Sequence, residues 1–172
     1  MDPLSVPVPA AFQRWRRVSG PEGTRALGAA LAGCVRPGDA ILVHGELGAG
    51  KTCLIQGLGA ALAVTEDVLS PTFTLVNRYH GRLTVAHLDF YRIDAGADLD
   101  DIGVQDLLDE LADGRTVLVA EWPNLLVPLL PRRVELLAVS SAVADERCWY
   151  ARGVPDLPPG WAALFPEEVV PC

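Results

Sequence analysis

Hydrophobic residues are distributed along this chain in two patterns, short continuous runs and longer segments with helical spacing. The segments Ala40–His44 and Thr116–Glu121 are short and almost entirely apolar, which is typical of strands buried within a sheet. Arg25–Cys34 and Lys51–Leu62 instead repeat their apolar residues with the period of a helix. We therefore expect an α/β protein whose helices pack on a sheet.

Further strands predict that the sheet is mixed. Thr72–Tyr79 and Leu83–Asp89 have strand-like composition, and the short connection between them contains Gly81, which favours an antiparallel hairpin. The remaining predicted elements are a first strand at Phe12–Val18, a short acidic helix at Ile102–Leu111 and a final antiparallel pair at Val134–Ser140 and Arg147–Arg152. The predicted fold class is a three-layer α/β/α arrangement around a mixed parallel and antiparallel sheet.

The length of 172 residues predicts a single domain. Residues 1–14 are rich in Pro and Ala and are expected to form a flexible N-terminal extension. Residues 15–152 are expected to form the domain itself. Residues 153–172 contain five prolines, at 155, 158, 159, 166 and 171, and are expected to wrap around the domain or to stay mobile.

Composition narrows the possible functions. Half of the residues are hydrophobic and the net charge is −8, which argues against a main role in holding nucleic acid through its phosphates. The N-terminus lacks the pattern of a signal peptide, and no apolar run approaches the ~18 residues of a membrane span. Cysteines are scattered, as expected of thiols in a reducing compartment. We therefore expect a cytoplasmic protein with no membrane partner.

A single lysine stands among the 14 basic residues. It is Lys51, within the sequence Gly45-Glu-Leu-Gly-Ala-Gly-Lys-Thr52, which matches the P-loop pattern between a predicted strand and a predicted helix. Such a loop presents backbone N–H groups and the positive end of a helix to an anion. The lysine neutralises the β- and γ-phosphates, and the hydroxyl of Thr52 is placed to bind Mg²⁺. The sequence therefore predicts a nucleotide-phosphate site.

A P-loop also needs a carboxylate at the end of a neighbouring strand for Mg²⁺. Asp89 and Glu121 both follow predicted strands, and the cleaner apolar run before Glu121 favours it; either acid could instead cap or pair within the structure. The segment Ser70–Thr74 lies where nucleotide switches carry a threonine that senses the γ-phosphate. Thr and Phe are also common in strands, so a purely structural role stays open.

Four ordered segments together are far more specific than the P-loop alone. They are residues 45–52, residues 70–76 (Ser-Pro-Thr-Phe-Thr-Leu-Val), residues 87–92 (His-Leu-Asp-Phe-Tyr-Arg) and residues 121–123 (Glu-Trp-Pro). The chain resembles the bacterial TsaE (YjeE) family over about residues 19 to 152. These are small P-loop ATPases of threonylcarbamoyladenosine (t6A) tRNA modification.

The resemblance implies a compact P-loop domain that binds and slowly hydrolyses ATP with Mg²⁺. Family members act with the two sugar-kinase-like subunits that transfer threonylcarbamoyl to adenosine 37 of tRNAs reading codons that begin with A. The protein is then expected to meet tRNA indirectly, through the complex.

The resemblance also implies roles for particular residues. Lys51, Asp89 and Glu121 would be catalytic, Thr52 and Glu121 would hold Mg²⁺, Thr72 and Thr74 would sense the γ-phosphate, and Trp122 would shape the site. The expected ATP-binding residues are Pro21, Thr24, Glu46, Leu47, Gly48, Ala49, Gly50, Lys51, Thr52 and Arg147.

Two other functions fit the sequence less well. A small-molecule or nucleoside kinase usually needs an arginine-bearing lid over the phosphoryl group; no such lid is evident, because Arg78, Arg82 and Arg92 are dispersed over predicted strands, but a kinase stays the alternative. A GTP-dependent switch would need a guanine-reading lysine, which a chain with Lys51 alone does not have. Arginines at 16, 17, 132 and 133 either contact tRNA or are solvated surface charges.

Overall fold

The structure is a computed structural model that describes residues 9–93, 96–141 and 145–169. Its strands are β1 (Arg14–Ser19), β2 (Ala40–Gly45), β3 (Val76–His80), β4 (Thr84–Asp89), β5 (Val117–Glu121), β6 (Arg133–Ser140), β7 (Glu146–Val154) and β8 (Glu167–Glu168). Its α-helices are α1 (Gly20–Leu31), α2 (Lys51–Ala61), α3 (Val104–Ala112) and α4 (Trp161–Leu164). None of the helices in these ranges is both long and apolar enough to cross a bilayer.

The strands form one sheet in the order β3-β4-β5-β2-β6-β7-β1-β8. The four central strands, β4, β5, β2 and β6, are parallel to one another. β3 pairs antiparallel with β4, and β6, β7, β1 and β8 follow one another in antiparallel pairs. The predicted hairpin and the predicted mixed sheet are thus confirmed.

Helices cover the sheet on two sides, which confirms the three-layer prediction. Alternate residues of the central strands enter opposite cores, because side chains along a strand point to opposite faces. Val43 and Val119 belong to the core under α1 and α2, whereas Leu42 and Leu118 belong to the core under α3. All four are at most 1% exposed, so the central strands are buried on both faces.

Two glycines set the distance between α1 and α2. A Cβ at Gly28 would lie 2.0 Å from the carbonyl oxygen of Leu54, and a Cβ at Gly57 would lie 2.0 Å from that of Arg25. Real Cβ atoms do not approach an oxygen so closely, so any larger residue would push the helices apart. This close packing brings the start of α1 against the start of α2.

The segment before β3 differs from the prediction that a strand begins at Thr72. Residues 72–75 form a turn, in which the N–H groups of Thr74 and Leu75 donate to the carbonyl of Pro71, and β3 begins only at Val76. Leu75 has a left-handed φ of 64°, which ends the turn and starts the strand. The hydroxyl of Thr72 donates to Asp89 and that of Thr74 to Asn77. Residues 72–74 therefore belong to the turn and do not extend the sheet.

Residues after 152 contribute to the core of the domain. β7 continues to Val154, β8 pairs with β1, and the side chains of Trp161 and Phe165 are 0% exposed. Arg14 holds this segment by donating hydrogen bonds to the carbonyls of Phe165 (2.6 Å) and Pro166 (2.7 Å). The described part of the Pro-rich tail therefore packs onto the sheet. The flexibility expected of the N-terminal extension falls largely on residues 1–8, which lie outside the described residues.

Candidate nucleotide and magnesium site

Three charged side chains predicted for the site meet at one edge of the sheet, where the parallel strands end. β2 runs into the P-loop, β4 ends at Asp89 and β5 ends at Glu121. Asp89 is paired with Glu121 in the register of the sheet, and Val43 of β2 is paired with Glu121 from the other side. Asp89, Glu121 and Lys51 are each 4% exposed. The edge at the carboxyl ends of parallel strands is where ligands bind in open α/β sheets.

The loop between β2 and α2 has the geometry needed to surround an anion. Gly50, directly before α2, has a left-handed φ of 98°, which favours glycine because other L-residues are strained there. The residues 46–48 are exposed, and α2 starts at Lys51 as predicted. The free N–H groups of the first turn of α2 therefore point at the space enclosed by the loop.

The amine of Lys51 lies inside the loop. Its Nζ donates hydrogen bonds of 2.8 Å to the carbonyls of Gly45 and Glu46, and it lies 4.3 Å from the ring centroid of Trp122. Burial lowers the pKa of this amine from its ordinary value, while the carboxylates of Glu121 and Asp89 oppose the shift. A bound polyphosphate would offer this buried amine fully charged acceptors.

Trp122, predicted to shape the site, lies beside the amine of Lys51. Its φ of 52° is left-handed, a conformation that costs a non-glycine residue about 1 kcal/mol or more. Its ring contacts the amine of Lys51 on one side and lies 5.1 Å from the ring of Tyr91, centroid to centroid, on another. The strained backbone turns the indole into the site directly after Glu121.

The residues predicted to hold Mg²⁺ are in contact with each other. The hydroxyl of Thr52 donates a hydrogen bond of 2.8 Å to Oε1 of Glu121. Mg²⁺ prefers hydroxyl, carboxylate, water and phosphate oxygens, and it usually binds one or two protein ligands beside a nucleotide. This pair of oxygens next to the phosphate loop therefore fits Mg²⁺.

Asp89 is held by the segment that contains Thr72. Its Oδ2 accepts hydrogen bonds from the hydroxyls of Ser70 (2.6 Å) and Thr72 (2.8 Å), and its Oδ1 accepts one from the N–H of Tyr91 (2.9 Å). Ser70 had no predicted role of its own, although it lies in the motif that contains Thr72. Asp89 thus connects the end of β4 to the turn.

Thr74 lies apart from this cluster. Its hydroxyl donates to Oδ1 of Asn77 at 2.9 Å, and the residue is exposed. Phe73, between the two threonines, is 85% exposed, and the guanidinium of Arg92 lies 4.8 Å from its ring centroid. The structure therefore brings Thr72 to the carboxylates and leaves Thr74 on the outer side of the turn.

The start of α1, which contains Pro21 and Thr24, lies against the P-loop and the start of α2. The thiol of Cys53 in α2 donates to the carbonyl of Pro21 at 3.3 Å. Thr24 is buried, and a Cβ at Gly50 would lie 3.6 Å from its methyl group. Arg147 lies in β7 at the same edge of the sheet, where it pairs with Val18 just before α1.

His87 had no predicted role beyond its place in a motif. Its side chain is 0% exposed, and its Nε2 lies 3.0 Å from Oε1 of Glu121. The only signal in the sequence is an imidazole inside an otherwise apolar strand. Its partner is 34 residues away, so the contact depends on the pairing of β4 with β5.

A third buried carboxylate, Glu135, fixes the end of β2 just before the loop. Glu135 in β6 accepts hydrogen bonds from Arg133 (2.6 Å) and Arg152 (2.7 Å), and it lies 3.1 Å from Nε2 of His44. Burial alone would raise the pKa of Glu135, but the hydrogen bonds from His44, Arg152 and Arg133 outweigh it and lower this pKa to about 2. The charge therefore stays in place at neutral pH and ties β2, β6 and β7 together beside Gly45.

Comparison with known proteins identifies the family of this chain. Residues 18–148 match the family model "Threonylcarbamoyl adenosine biosynthesis protein TsaE". The chain is 37% identical over 135 residues to the tRNA threonylcarbamoyladenosine biosynthesis protein TsaE of Bacillus subtilis, a match covering 78% of this chain and 81% of that protein. It is 41% identical over 125 residues to the protein of the same name from Streptomyces coelicolor, covering 70% and 81%.

A solved structure extends the likeness to the fold. The crystal structure of YdiB from Bacillus subtilis superimposes with a TM-score of 0.65 and 31% sequence identity, covering 83% of this chain and 86% of that one. The family match includes the P-loop, Asp89, Glu121 and the segment that joins them. This chain belongs to the TsaE family of threonylcarbamoyl adenosine biosynthesis proteins.

Proposed function

We propose that this protein binds and hydrolyses ATP with Mg²⁺ and acts in making N6-threonylcarbamoyladenosine at position 37 of tRNA. It would do so through the two sugar-kinase-like subunits that carry out the threonylcarbamoyl transfer. Membership of the TsaE family supports the pathway. The ATPase activity and the metal are inferred from the site, and the partner subunits from the resemblance to the TsaE family.

The main support for the ATPase proposal is that Lys51 and Thr52, at the start of α2, lie beside Glu121 at the end of β5, with Lys51 and Glu121 both buried. The hydroxyl of Thr52 bonds to Glu121, and the amine of Lys51 lies on the carbonyls of the loop that precedes Thr52. This is the set that a P-loop NTPase uses to bind phosphates and Mg²⁺. A glycine-rich turn with no phosphate role would not need a buried lysine and a buried carboxylate beside it.

Each residue then has a distinct task. The N–H groups at the start of α2 and the amine of Lys51 bind the β- and γ-phosphates. Thr52 and Glu121 would hold Mg²⁺, which supplies charge neutralisation across these phosphates. Asp89 is buried beside Glu121, where it can orient a water molecule or accept its proton. Ser70 and Thr72 donate hydrogen bonds to Asp89. Movement of the segment that contains them would therefore change the orientation of the Asp89 carboxylate relative to that water.

Three exposed apolar side chains in or next to the P-loop and the Ser70–Leu75 turn support a protein partner. Among the described residues, the large exposed hydrophobic side chains are those of Leu47, Leu69, Phe73 and Leu129. Leu47 lies in the P-loop. Leu69 directly precedes the Ser70–Leu75 turn, whose hydroxyls bond to Asp89, and Phe73 lies within that turn. Apolar groups clustered on a surface mark protein contacts. The net charge of −8 also suits a contact with protein better than direct binding to tRNA phosphates.

The test is ATP turnover by the purified protein, alone and with the two sugar-kinase-like subunits. We expect low turnover alone and a clear rise when both subunits are present. The control is Lys51→Ala. It should lower turnover by about 100-fold or more, which is the usual effect of removing one group that stabilises charge in the transition state. Its circular dichroism spectrum should stay native, because the hydrogen bonds that the variant loses are those to the carbonyls of Gly45 and Glu46, at the end of β2 and in the loop.

Two results would contradict the proposal. Turnover that ignores the partner subunits but rises with a mixture of nucleosides or small molecules would indicate a kinase instead. Full turnover by a folded Lys51→Ala variant would mean that the P-loop is not the site of ATP hydrolysis.

A further inference from the structure

We infer that His87 is a positioning residue that orients the carboxylate of Glu121 toward Mg²⁺. The inference rests on the proposed Mg²⁺-dependent binding of ATP and adds a residue that acts through Glu121. It starts from the burial of His87: its side chain is 0% exposed, yet its Nδ1 has no hydrogen-bond partner within the described ranges. The position therefore bears the cost of burying a polar nitrogen.

The contact with Glu121 explains why an imidazole is present. A carboxylate can only accept hydrogen bonds, so Nε2 of His87 carries a proton and donates it to Oε1 at 3.0 Å. The hydroxyl of Thr52 donates to the same Oε1 at 2.8 Å. Two donors from different elements, β4 and α2, thus fix the rotation of the carboxylate. Oε2 is left outside this pair of hydrogen bonds.

The imidazole itself is held in place by its neighbours. The ring of Tyr79 in β3 lies 6.1 Å from the ring of His87, centroid to centroid. The hydroxyl of Tyr79 donates to the carbonyl of Leu69 at 2.9 Å and accepts a hydrogen bond from the N–H of Leu69 at 3.1 Å. His87 therefore lies between Glu121 and the residue that anchors the beginning of the Ser70–Leu75 turn.

The functional consequence follows from how metals are held. Groups that hydrogen-bond to a metal ligand fix its orientation, and their loss lowers metal affinity by 10- to 100-fold in well-studied sites. A Glu121 carboxylate that rotates freely would present an oxygen to Mg²⁺ in a binding orientation for only part of the time. Loss of His87 should therefore weaken the effect of Mg²⁺ on nucleotide binding while leaving the phosphate loop intact.

The experiment compares two substitutions of His87. His87→Leu removes the N–H group that donates to Glu121 and places an apolar side chain of similar size beside Tyr79. His87→Gln is the matched control, because its side-chain amide nitrogen is the same number of bonds from Cα as Nε2 of histidine. Affinity for the non-hydrolysable ATP analogue adenylyl imidodiphosphate is measured by calorimetry, first with EDTA and then over a series of Mg²⁺ concentrations.

We expect His87→Leu to need about tenfold more Mg²⁺ than the wild type for the half-maximal gain in affinity. Affinity in EDTA should stay within about twofold of the wild type, and His87→Gln should restore most of the Mg²⁺ response. Circular dichroism checks the fold of each variant. If His87→Leu does not fold, His87→Met replaces it, because the flexible thioether fills irregular apolar space.

The outcomes separate this inference from the proposed function. A wild-type protein that responds to Mg²⁺ and a folded His87→Leu variant with the same Mg²⁺ requirement would overturn the role of His87 alone. Lower thermal stability of His87→Leu with an unchanged Mg²⁺ requirement would also overturn it, because that result describes a structural residue. A wild-type protein that binds no nucleotide, or binds it without regard to Mg²⁺, would contradict the proposed function and this inference together.

Discussion

At the scale of single residues, the two carboxylates of the site are equally buried but have different hydrogen-bond partners. Glu121 receives hydrogen bonds from Thr52 and His87, both on Oε1. Asp89 receives its hydrogen bonds from Ser70, Thr72 and the backbone of Tyr91. Glu121 is thus tied to the P-loop helix, and Asp89 to the turn before β3. This difference in partners implies a difference in function.

We predict that neutralising each carboxylate separates Mg²⁺ binding from turnover. Glu121→Gln should weaken Mg²⁺-dependent nucleotide binding, because it removes a charged metal ligand. Asp89→Asn should bind Mg²⁺ and nucleotide within a few-fold of the wild type but lower kcat by about 100-fold or more, the range for loss of a positioned general base. Binding is measured by calorimetry and kcat by phosphate release in the presence of the partner subunits.

Each of these variants is the control for the other, since both lose one buried negative charge at neighbouring positions of the sheet. Equal losses of Mg²⁺ affinity in the two variants would contradict the division of roles. A normal kcat for Asp89→Asn would remove Asp89 from the proposed chemistry.

Residue-level sequence reasoning found the groups whose role depends on local order. Lys51 and Thr52 could be placed because a P-loop is one continuous segment, and Glu121 because it ends a continuous apolar strand. His87 and Ser70 could not be given roles, because their partners lie 34 and 19 residues away. Those contacts exist only once β4 pairs with β5 and the turn packs against Asp89.

At the scale of elements, the turn between Ser70 and Leu75 is held by hydrogen bonds at both ends, whereas Phe73 in its middle is exposed to solvent. Tyr79 and Asn77 bond to Leu69 before it, and the carbonyl of Leu75 accepts a hydrogen bond from the N–H of Asp89 after it. Phe73 between these anchors is 85% exposed. A segment of this kind can change locally while the sheet stays intact.

We predict that ATP with Mg²⁺ slows cleavage by chymotrypsin after Phe73. Rearrangement of Thr72 at a bound γ-phosphate would order the turn and restrict the extended conformation that a protease requires. The rate is followed by mass spectrometry of the fragments with and without ATP and Mg²⁺. The Lys51→Ala variant is the control and should be cleaved at the same rate in both conditions; a wild-type rate unaffected by the nucleotide would count against a switch.

The contact between α1 and α2 gives a prediction about stability. Gly28→Ala should lower the free energy of unfolding by about 1–3 kcal/mol, the usual range for an overpacked core, because its Cβ would lie 2.0 Å from the carbonyl oxygen of Leu54. Gly23→Ala in the same helix is the matched control. Its Cβ would come no closer than 3.4 Å to Val18, and alanine favours helix, so its stability should be unchanged or slightly higher.

Urea denaturation of both variants measures this difference. Equal stabilities of Gly28→Ala and Gly23→Ala would mean that the two helices can separate without cost. Helical periodicity in the sequence predicted both helices, but it did not predict this crossing, since the closeness of two helices depends on both surfaces at once.

At the scale of the whole molecule, the residues after 154 complete the core that α1 and α2 begin. Trp161 and Phe165 are 0% exposed and belong to the same cluster as Leu27 and Leu31 of α1. β8 extends the sheet beyond β1. The domain that carries the site therefore includes part of the C-terminal segment.

We predict that Phe165→Ala lowers the free energy of unfolding by about 3–5 kcal/mol, the usual cost of removing a fully buried Phe side chain. Phe73→Ala is the matched control, since it makes the same change at a side chain that is 85% exposed, and it should cost less than about 1 kcal/mol. Both values come from urea denaturation without nucleotide. Similar values for the two variants would mean that the C-terminal segment does not stabilise the domain.

The sequence by itself determined the fold class, the P-loop pattern, the two strands that end on Asp89 and Glu121 and, through four motifs, the family. Each of these features depends on continuous segments of the chain, so apolar runs, glycine spacing and the position of the single lysine are sufficient to predict it. The tertiary structure decided which distant groups meet: His87 with Glu121, Ser70 and Thr72 with Asp89, and Phe165 with the core under α1. Strand register and helix packing bring these groups together, and both depend on the whole chain folding at once rather than on any local pattern.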